Sequence, residues 1–340
     1  MEKMKIGAFG EVMLRLTPPE HLMLEQTHTL RMAYTGTGVN LVGNLAHFGV
    51  DSYLLTTLPN NRLGEAALSN LKSLGICTEY ITKNHQHIGT YFAEMGYGAR
   101  ATHVTYQNRH NSSFGLSQKT EYAVPEFIDA VDLVHICGIS LSLTEATAET
   151  AIYLAKKAHE QGKTVCFDFN FRPSLNQEEG KKELMKQRYE EILTYSSIVF
   201  GSVRDLTELL NLAPVEEINT EEQETALIRR FLEKYEISWF AGTKRKSEAG
   251  KKSLSGYLIT ETESIRTPEY TLEILDRIGA GDAYAAGILL GYAEKWPLEK
   301  TSLFAVGNAI LAHTIQGDVP LTTREQVRQV LEEPERDLIR

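Results

Sequence analysis

Three observations predict an α/β fold built on a mostly parallel sheet with helices on both faces. Strand and helix signals alternate along the 340 residues. Residues 132–137 form a near-continuous apolar run, typical of a strand covered on both sides. Residues 275–289 join a glycine-rich turn to a run of small apolar residues that reads as a buried helix.

Taken in order, residues 5–9 are a short apolar strand ending in Gly10-Glu11, and 39–48 a helix closed by Gly49. Residues 52–58 read as another strand, and 64–74 as a helix ending at Gly75. After the strand at 132–137, Ser142-Leu143-Thr144-Glu145 has capping-box spacing and opens a helix to about residue 160. Strands at 164–169, 197–200 and 237–240 are separated by helices at about 178–193, 203–210 and 221–235. This β-α-β-α order demands a parallel sheet between helical layers. The tail carries the helix that starts near Asp282, a second at about 298–315 and a last at 324–331. Residues 12–33 and 89–106 break the rhythm with alternating, aromatic-rich runs and no helix between them, so they read as a small antiparallel sheet. The expected division is a main α/β unit of residues 1–11, 34–88 and 107–340, with 12–33 and 89–106 outside it.

Composition narrows the class. With 42% hydrophobic residues the chain can bury a large core, and a net charge of −10 with no basic run argues against nucleic-acid or anionic-membrane partners. No stretch reaches the roughly 18 apolar residues of a membrane span, and residues 1–6 contain no apolar leader segment. Cys77, Cys137 and Cys166 lack CxxC spacing and read as reduced packing residues, which places the protein in the cytoplasm. The ten histidines show no HExxH or paired spacing, so no transition-metal site is expected.

Chemistry concentrates at Asp276-Arg277-Ile278-Gly279-Ala280-Gly281-Asp282. Backbone N–H groups of Gly279, Ala280 and Gly281, added to a helix N-terminus, form an anion site where a transferring phosphoryl group would be stabilised, with Asp282 at its edge as a base. A plain glycine turn with Asp282 as N-cap is the alternative. The pattern Asp276-x-x-Gly279-Ala280-Gly281-Asp282-x-x-x-Ala286-Gly287 resembles the C-terminal signature of the ribokinase-like (PfkB) sugar kinases, in which the final aspartate deprotonates the attacking sugar hydroxyl. Arg277 stands where that family carries a small or apolar residue. The resemblance implies a ribokinase-like three-layer α/β/α sandwich. It makes the 12–33 and 89–106 segments a β-sheet lid, through which a homodimer or higher homo-oligomer would form.

Three further stretches bear on substrate. Tyr34-Thr35-Gly36-Thr37-Gly38-Val39-Asn40 opens a helix, but Leu41 occupies the third glycine position of a dinucleotide fingerprint, which excludes a dehydrogenase reading. Gly36, Gly38 and Asn40 instead resemble the family's sugar-binding entry, with Asn40 as a buried loop-satisfying residue the alternative. Asp168-Phe169-Asn170-Phe171-Arg172-Pro173 follows a strand directly, at the sheet end where open α/β folds bind ligands. Arg172 has the fork that holds a carboxylate or phosphate, and the motif resembles that of the 2-keto-3-deoxygluconate kinases; pairing with Asp168 is the alternative. Tyr91 and Tyr106-Gln107-Asn108-Arg109 resemble the tyrosines and Tyr-x-Arg that grip the keto-acid, with Asn108 at the Arg position and Arg109 one residue late.

On the nucleotide side no Walker A motif exists. Residues 250–253 are lysine-rich and read as a solvated loop. By resemblance, Asn170, Ser202, Gly242, Thr243, Arg277, Gly279, Gly281, Asn308 and His313 belong to the nucleotide pocket, together with Gly317-Asp318. Ser202-Val203-Arg204-Asp205 stands where the family has Asn-x-x-Glu, making Asp205 the candidate Mg²⁺ residue, through water. The resemblance thus implies ATP and Mg²⁺, with K⁺ a candidate activator. The expected activity is phosphoryl transfer from ATP to a sugar acid, foremost 2-keto-3-deoxygluconate. A fructokinase or other ketose kinase of the same fold is the alternative, as is a non-catalytic sugar- or nucleotide-binding regulator.

Overall fold

Alternate residues of the central strands pack against helices on opposite sides, so the sheet is buried on both faces. The computed structural model describes residues 3–171, 180–248 and 250–332. In chain order the strands and helices are β1 (Ile6–Phe9), β2 (Met13–Thr17), β3 (Arg31–Thr35), α1 (Thr37–His47), β4 (Ser52–Leu58), α2 (Arg62–Ser73), β5 (Ile81–Lys83), β6 (Gly89–Glu94) and β7 (His103–Gln107). They continue as α3 (Ser113–Leu116), α4 (Val124–Ala130), β8 (Leu133–Cys137), α5 (Ile139–Leu143), α6 (Glu145–Glu160), β9 (Thr164–Asp168), α7 (Lys181–Leu193) and β10 (Ile198–Phe200). The last part holds α8 (Glu221–Tyr235), β11 (Trp239–Glu248), β12 (Lys251–Ile259), β13 (Ser264–Arg266), β14 (Tyr270–Thr271), α9 (Ala280–Ala293), α10 (Leu298–His313) and α11 (Arg324–Glu332).

The large sheet runs β13-β12-β11-β10-β9-β8-β1-β4-β5, with β14 paired to β12. From β11 through to β5 every pairing is parallel, while β12 to β14 add antiparallel strands at one edge. On one face Val134, Ile136, Val165 and Phe167 meet Ala151 and Leu154 of α6, Ile192 of α7 and Phe231 of α8. On the other, Ile6, Ala8 and Leu54 meet Val39 and Val42 of α1, Ile288 and Leu289 of α9 and Val306 of α10. Each such aliphatic or aromatic side chain contributes about 1.5–3 kcal/mol by leaving water.

Four elements differ from the sequence reading. The small sheet, ordered β3-β2-β6-β7, is mixed rather than antiparallel, because its central pair β2·β6 is parallel. The chain enters β2 from β1 and β6 from β5, which run the same way in the large sheet, and it keeps that sense in the small one. The helix to Glu160 is capped by Thr144, which accepts from the Thr147 N–H, while Ser142 lies inside α5 and donates to the Gly138 carbonyl. The 203–210 helix contains a π-helical turn, Asp205–Leu209. Finally, β11 is ten residues long and pairs along its length with β12, where the sequence had suggested a short strand and a loop. Among the described residues no helix is long and apolar enough to cross a membrane.

Two predictions follow from packing. A β-carbon at Gly287 would lie 2.5 Å from the Cα of Ala305, where α9 crosses α10. Gly287→Val should therefore cost about 3 kcal/mol of stability, read from the urea midpoint. His135 is buried on β8 with Nδ1 3.3 Å from the Cys166 sulfur, and burial pushes its pKa down from 6.5 to about 4. The neutral ring is then a source of stability above pH 6.5 that is lost as pH falls towards 4, because the unfolded chain takes up the proton first. The loss should total about 3 kcal/mol. Urea midpoints measured from pH 7 to 4.5 should fall less steeply in His135→Gln than in the parent; parallel curves would refute the assignment.

Candidate active site

The start of α9 is set by a left-handed turn. Gly279 adopts φ 82° as the residue before the helix, and a β-carbon there would lie 1.9 Å from the Asp318 carbonyl oxygen. Only glycine fits that approach. Gly281 is small for a different reason: a β-carbon would meet nothing within 4 Å, and the residue lines a cleft. Its bare backbone leaves the first helical turn open to a ligand. N–H groups in that turn have no carbonyl partner within the helix and carry the positive end of its dipole, so the turn can hold an anion. Ala280 is buried with Ala283 and Ala312 and supplies backbone only.

Asp282 lies in this first turn and is buried at the cleft wall. Asn40 Nδ2 donates to its Oδ2 at 2.7 Å, tying the carboxylate to α1. Asn40 is placed by Gly36, whose carbonyl accepts the Asn40 N–H at 2.7 Å. Gly36 has φ 152°, and a β-carbon there would be 2.0 Å from the Glu11 carbonyl oxygen. Gly38, next in the motif, faces Leu54 and Ala8 and packs α1 on the sheet instead of lining the cleft.

The cleft, about 1420 Å³, lies between the small sheet, the end of β9, the β11–β12 hairpin and the start of α9. Tyr91 and Tyr106 line it from the small sheet, their rings 5.9 Å apart, and Thr35 lies 3.2 Å from the Tyr91 hydroxyl. Burial and the nearby Asp318 carboxylate both raise the Tyr91 pKa, so its hydroxyl stays protonated. Asp168 and Asn170 line it from the end of β9; Asn170 takes φ 37°, with its N–H on Asp168 Oδ1 at 3.1 Å. Arg277 and His313 line it as well. His313 Nδ1 lies 2.6 Å from the Ala309 carbonyl, and burial lowers its pKa, which keeps the ring neutral.

Several sequence candidates are placed elsewhere. Arg109 is buried, with Nε and Nη2 both on Glu11 Oε2 at 2.9 and 2.7 Å, and it stacks 4.9 Å from the Tyr106 ring. Its side chain is spent on this internal pair. Asn108 is exposed at φ 57° and does not line the cleft. Asn308 is buried among three helices and a loop, donating to Asn44 Oδ1 at 2.6 Å and to the Ala283 carbonyl at 2.7 Å. Gly242 packs on Gly201 and Tyr257, and neither it nor Thr243 lines the cleft. Asp205 Oδ2 accepts from the Ser202 N–H at 2.7 Å and its hydroxyl at 2.8 Å, and burial raises its pKa. Neither residue lines the cleft. Among the described residues no three His, Cys, Asp or Glu side chains cluster as a metal site. Arg172 lies outside the described residues.

Sequence reasoning missed Arg15 and the hairpin cations. Arg15, buried on β2, bonds Asp276 and Asp318, and its signal was an arginine inside the otherwise apolar alternation Met13-Leu14-Arg15-Leu16. Arg245, Lys246 and Lys252 line the cleft from a hairpin whose lysines had suggested a solvated loop.

Comparison with known proteins adds identity to this geometry. The model of the pfkB family carbohydrate kinases matches residues 3–322. A solved structure of a candidate 2-keto-3-deoxygluconate kinase from Enterococcus faecalis is 58% identical, covering 99% of each chain with a TM-score of 0.96. The 2-dehydro-3-deoxygluconokinase of Thermotoga maritima is 29% identical over 97% of this chain and 98% of its own, with a TM-score of 0.90. A 2-dehydro-3-deoxygalactonokinase of Haloferax volcanii is 25% identical over 96% of both chains. Matched over nearly its whole length, the chain belongs to the pfkB family of carbohydrate kinases.

Proposed function

We propose that the protein is an ATP-dependent kinase that phosphorylates a primary hydroxyl of 2-keto-3-deoxygluconate, giving the 6-phosphate. The observation that carries this reading is the Asp282 carboxylate, held by Asn40 in the first turn of α9 beside the open backbone of Gly281. The names of relatives at 58% and 29% identity support the sugar-acid substrate. In the proposed step the substrate hydroxyl oxygen forms a bond to the γ-phosphorus as the bond to the β-phosphate oxygen breaks. Its proton passes to Asp282, whose orientation Asn40 preserves. Backbone N–H groups at Gly279–Gly281 stabilise charge on the transferring group, and Arg277 faces the same cleft as a cation. Tyr91, Tyr106 and Gly36 would bound the sugar acid, and Arg172 would hold its carboxylate.

Asp168 offers the cleft an oxygen donor that suits Mg²⁺ with retained waters, and that ion would offset phosphate charge when bound. His313 and Asn170 would face the nucleotide. Asp205, tied to Ser202, would act on this ion at most through water. The small sheet would serve as the lid, and its exposed Leu30 and Met32 would face a second subunit in a homo-oligomer. A cytoplasmic location fits reduced Cys77, Cys137 and Cys166.

Two measurements test the reading. Coupled-assay ADP release with Mg·ATP should give the highest kcat/KM for 2-keto-3-deoxygluconate in a panel with its galactonate epimer, gluconate, fructose and ribose. A win for fructose would move the assignment to a ketose kinase. Asp282→Asn should lower kcat at least about 10²-fold with the melting temperature retained; near-normal turnover would remove Asp282 from its role.

A further inference from the structure

Three charged side chains are buried together beside the first turn of α9. The Arg15 guanidinium lies between two carboxylates: Nη2 donates to Asp276 Oδ2 at 2.8 Å and Nη1 to Asp318 Oδ1, while Nε donates to Thr17 Oγ1 at 2.9 Å. The side chains are 3% (Arg15), 0% (Asp276) and 3% (Asp318) exposed. Tyr91 donates to the second oxygen of Asp318. Two carboxylates this deeply buried repel each other unless a cation stands between them. Burial alone would lower the Arg15 pKa, but Asp318 and Asp276 outweigh it and the net shift is upward.

Both carboxylates belong to segments that build the anion-binding turn. Asp276 Oδ1 accepts the Ile278 N–H at 3.0 Å and Oδ2 the Gly317 N–H at 3.3 Å. The Asp318 carbonyl fills the space beside Gly279. The charge that holds these segments together comes from β2, and Tyr91 on β6 adds the second tie from the same small sheet.

We propose that Arg15 is a tethered monovalent cation. It offsets one of the two buried negative charges, bridges Asp276 to Asp318 and thereby positions the Gly279–Gly281 turn, so that phosphoryl transfer proceeds without K⁺ from solution. One oxygen of each carboxylate is engaged by a guanidinium N–H and the other by the Ile278 N–H or the Tyr91 hydroxyl, and the rigid guanidinium fork suits two acceptors with a permanent charge. Arg15 is a positioning residue and touches neither substrate. This inference rests on the kinase reading.

The test compares the parent with Arg15→Ala and Arg15→Lys in tetramethylammonium buffer, with and without K⁺. Parent kcat should change by less than about twofold on adding K⁺. Stimulation by K⁺ of about fivefold or more would overturn the proposal. Arg15→Ala should lose at least about tenfold in kcat, with KM for the sugar acid changed much less, and should recover several-fold with millimolar guanidinium or K⁺. A folded variant that keeps full kcat, or that no small cation rescues, would also overturn it. Should Arg15→Ala not fold, Arg15→Lys, which keeps a tethered positive charge, decides: turnover that stays independent of K⁺ supports the proposal, and a kcat that K⁺ raises about fivefold or more opposes it. If the parent turns over none of the sugars, the kinase reading fails by itself. The melting-temperature rise caused by ATP then judges Arg15, its independence of K⁺ supporting the proposal and dependence on K⁺ overturning it.

Discussion

A single backbone contact sets the geometry of the candidate site: the Asp318 carbonyl sits where Gly279 would carry a side chain. That contact determines where α9 begins, and hence where Asp282 stands one turn later. α9 is itself held on most sides. Gly287 lets it cross α10 at close range, and Asn308 of α10 bonds both the Ala283 carbonyl in α9 and Asn44 in α1. Since α1 also supplies Asn40, the carboxylate and its partner are brought together by helix packing that is laid down outside the cleft. Precision at the 2.7 Å Asn40–Asp282 contact is inherited from a rigid core.

The same economy explains Glu11. Its carbonyl backs Gly36, its carboxylate holds Arg109 and accepts from Ser112 at 3.1 Å, and Gly89 is small because Glu11 Oε1 lies against it. Burying such a pair adds little net stability, but its directional bonds fix the relation between β1, the small sheet and the entry to α1. Two buried ion pairs, Glu11–Arg109 and the Arg15 cluster, thus flank the cleft.

Much of this was readable in the sequence, for identifiable reasons. The parallel strands announced themselves because burial on both faces favours apolar runs, as in β8, and the bounds of β4 matched residue for residue. The turn at Gly279–Asp282 was readable because its backbone geometry admits few residue types. Arg109 misled because a charged residue near a binding motif gives no sign of which way its side chain turns; Glu11, 98 positions away, decides that. Arg15 showed only as a charge inside an apolar run, and its role could not be read because its partners lie 261 and 303 positions along the chain. Asn308 resembled a ligand residue, yet helix packing had the prior claim on its amide. The hairpin was missed because its tip, Arg245–Glu248 with Lys251 and Lys252, is solvent-facing and carries no apolar alternation.

That hairpin has an electrostatic consequence. β11 pairs with β10 only over Trp239–Ala241, so Lys244–Glu248 extends beyond the parallel sheet with β12 as its ladder partner. The projecting ribbon carries Lys244, Arg245, Lys246, Lys251 and Lys252, with Lys244 paired to Glu224 and Lys246 to Glu269, on a molecule whose net charge is −10. At physiological ionic strength fields fade over about 8 Å, so the distant acidic surface is largely screened while this ribbon, at the cleft edge, is not. A polyanion approaching the protein would meet repulsion almost everywhere and a short-range funnel at one rim. The overhang would therefore make encounter rates salt-sensitive even though the ribbon forms no part of the reacting centre.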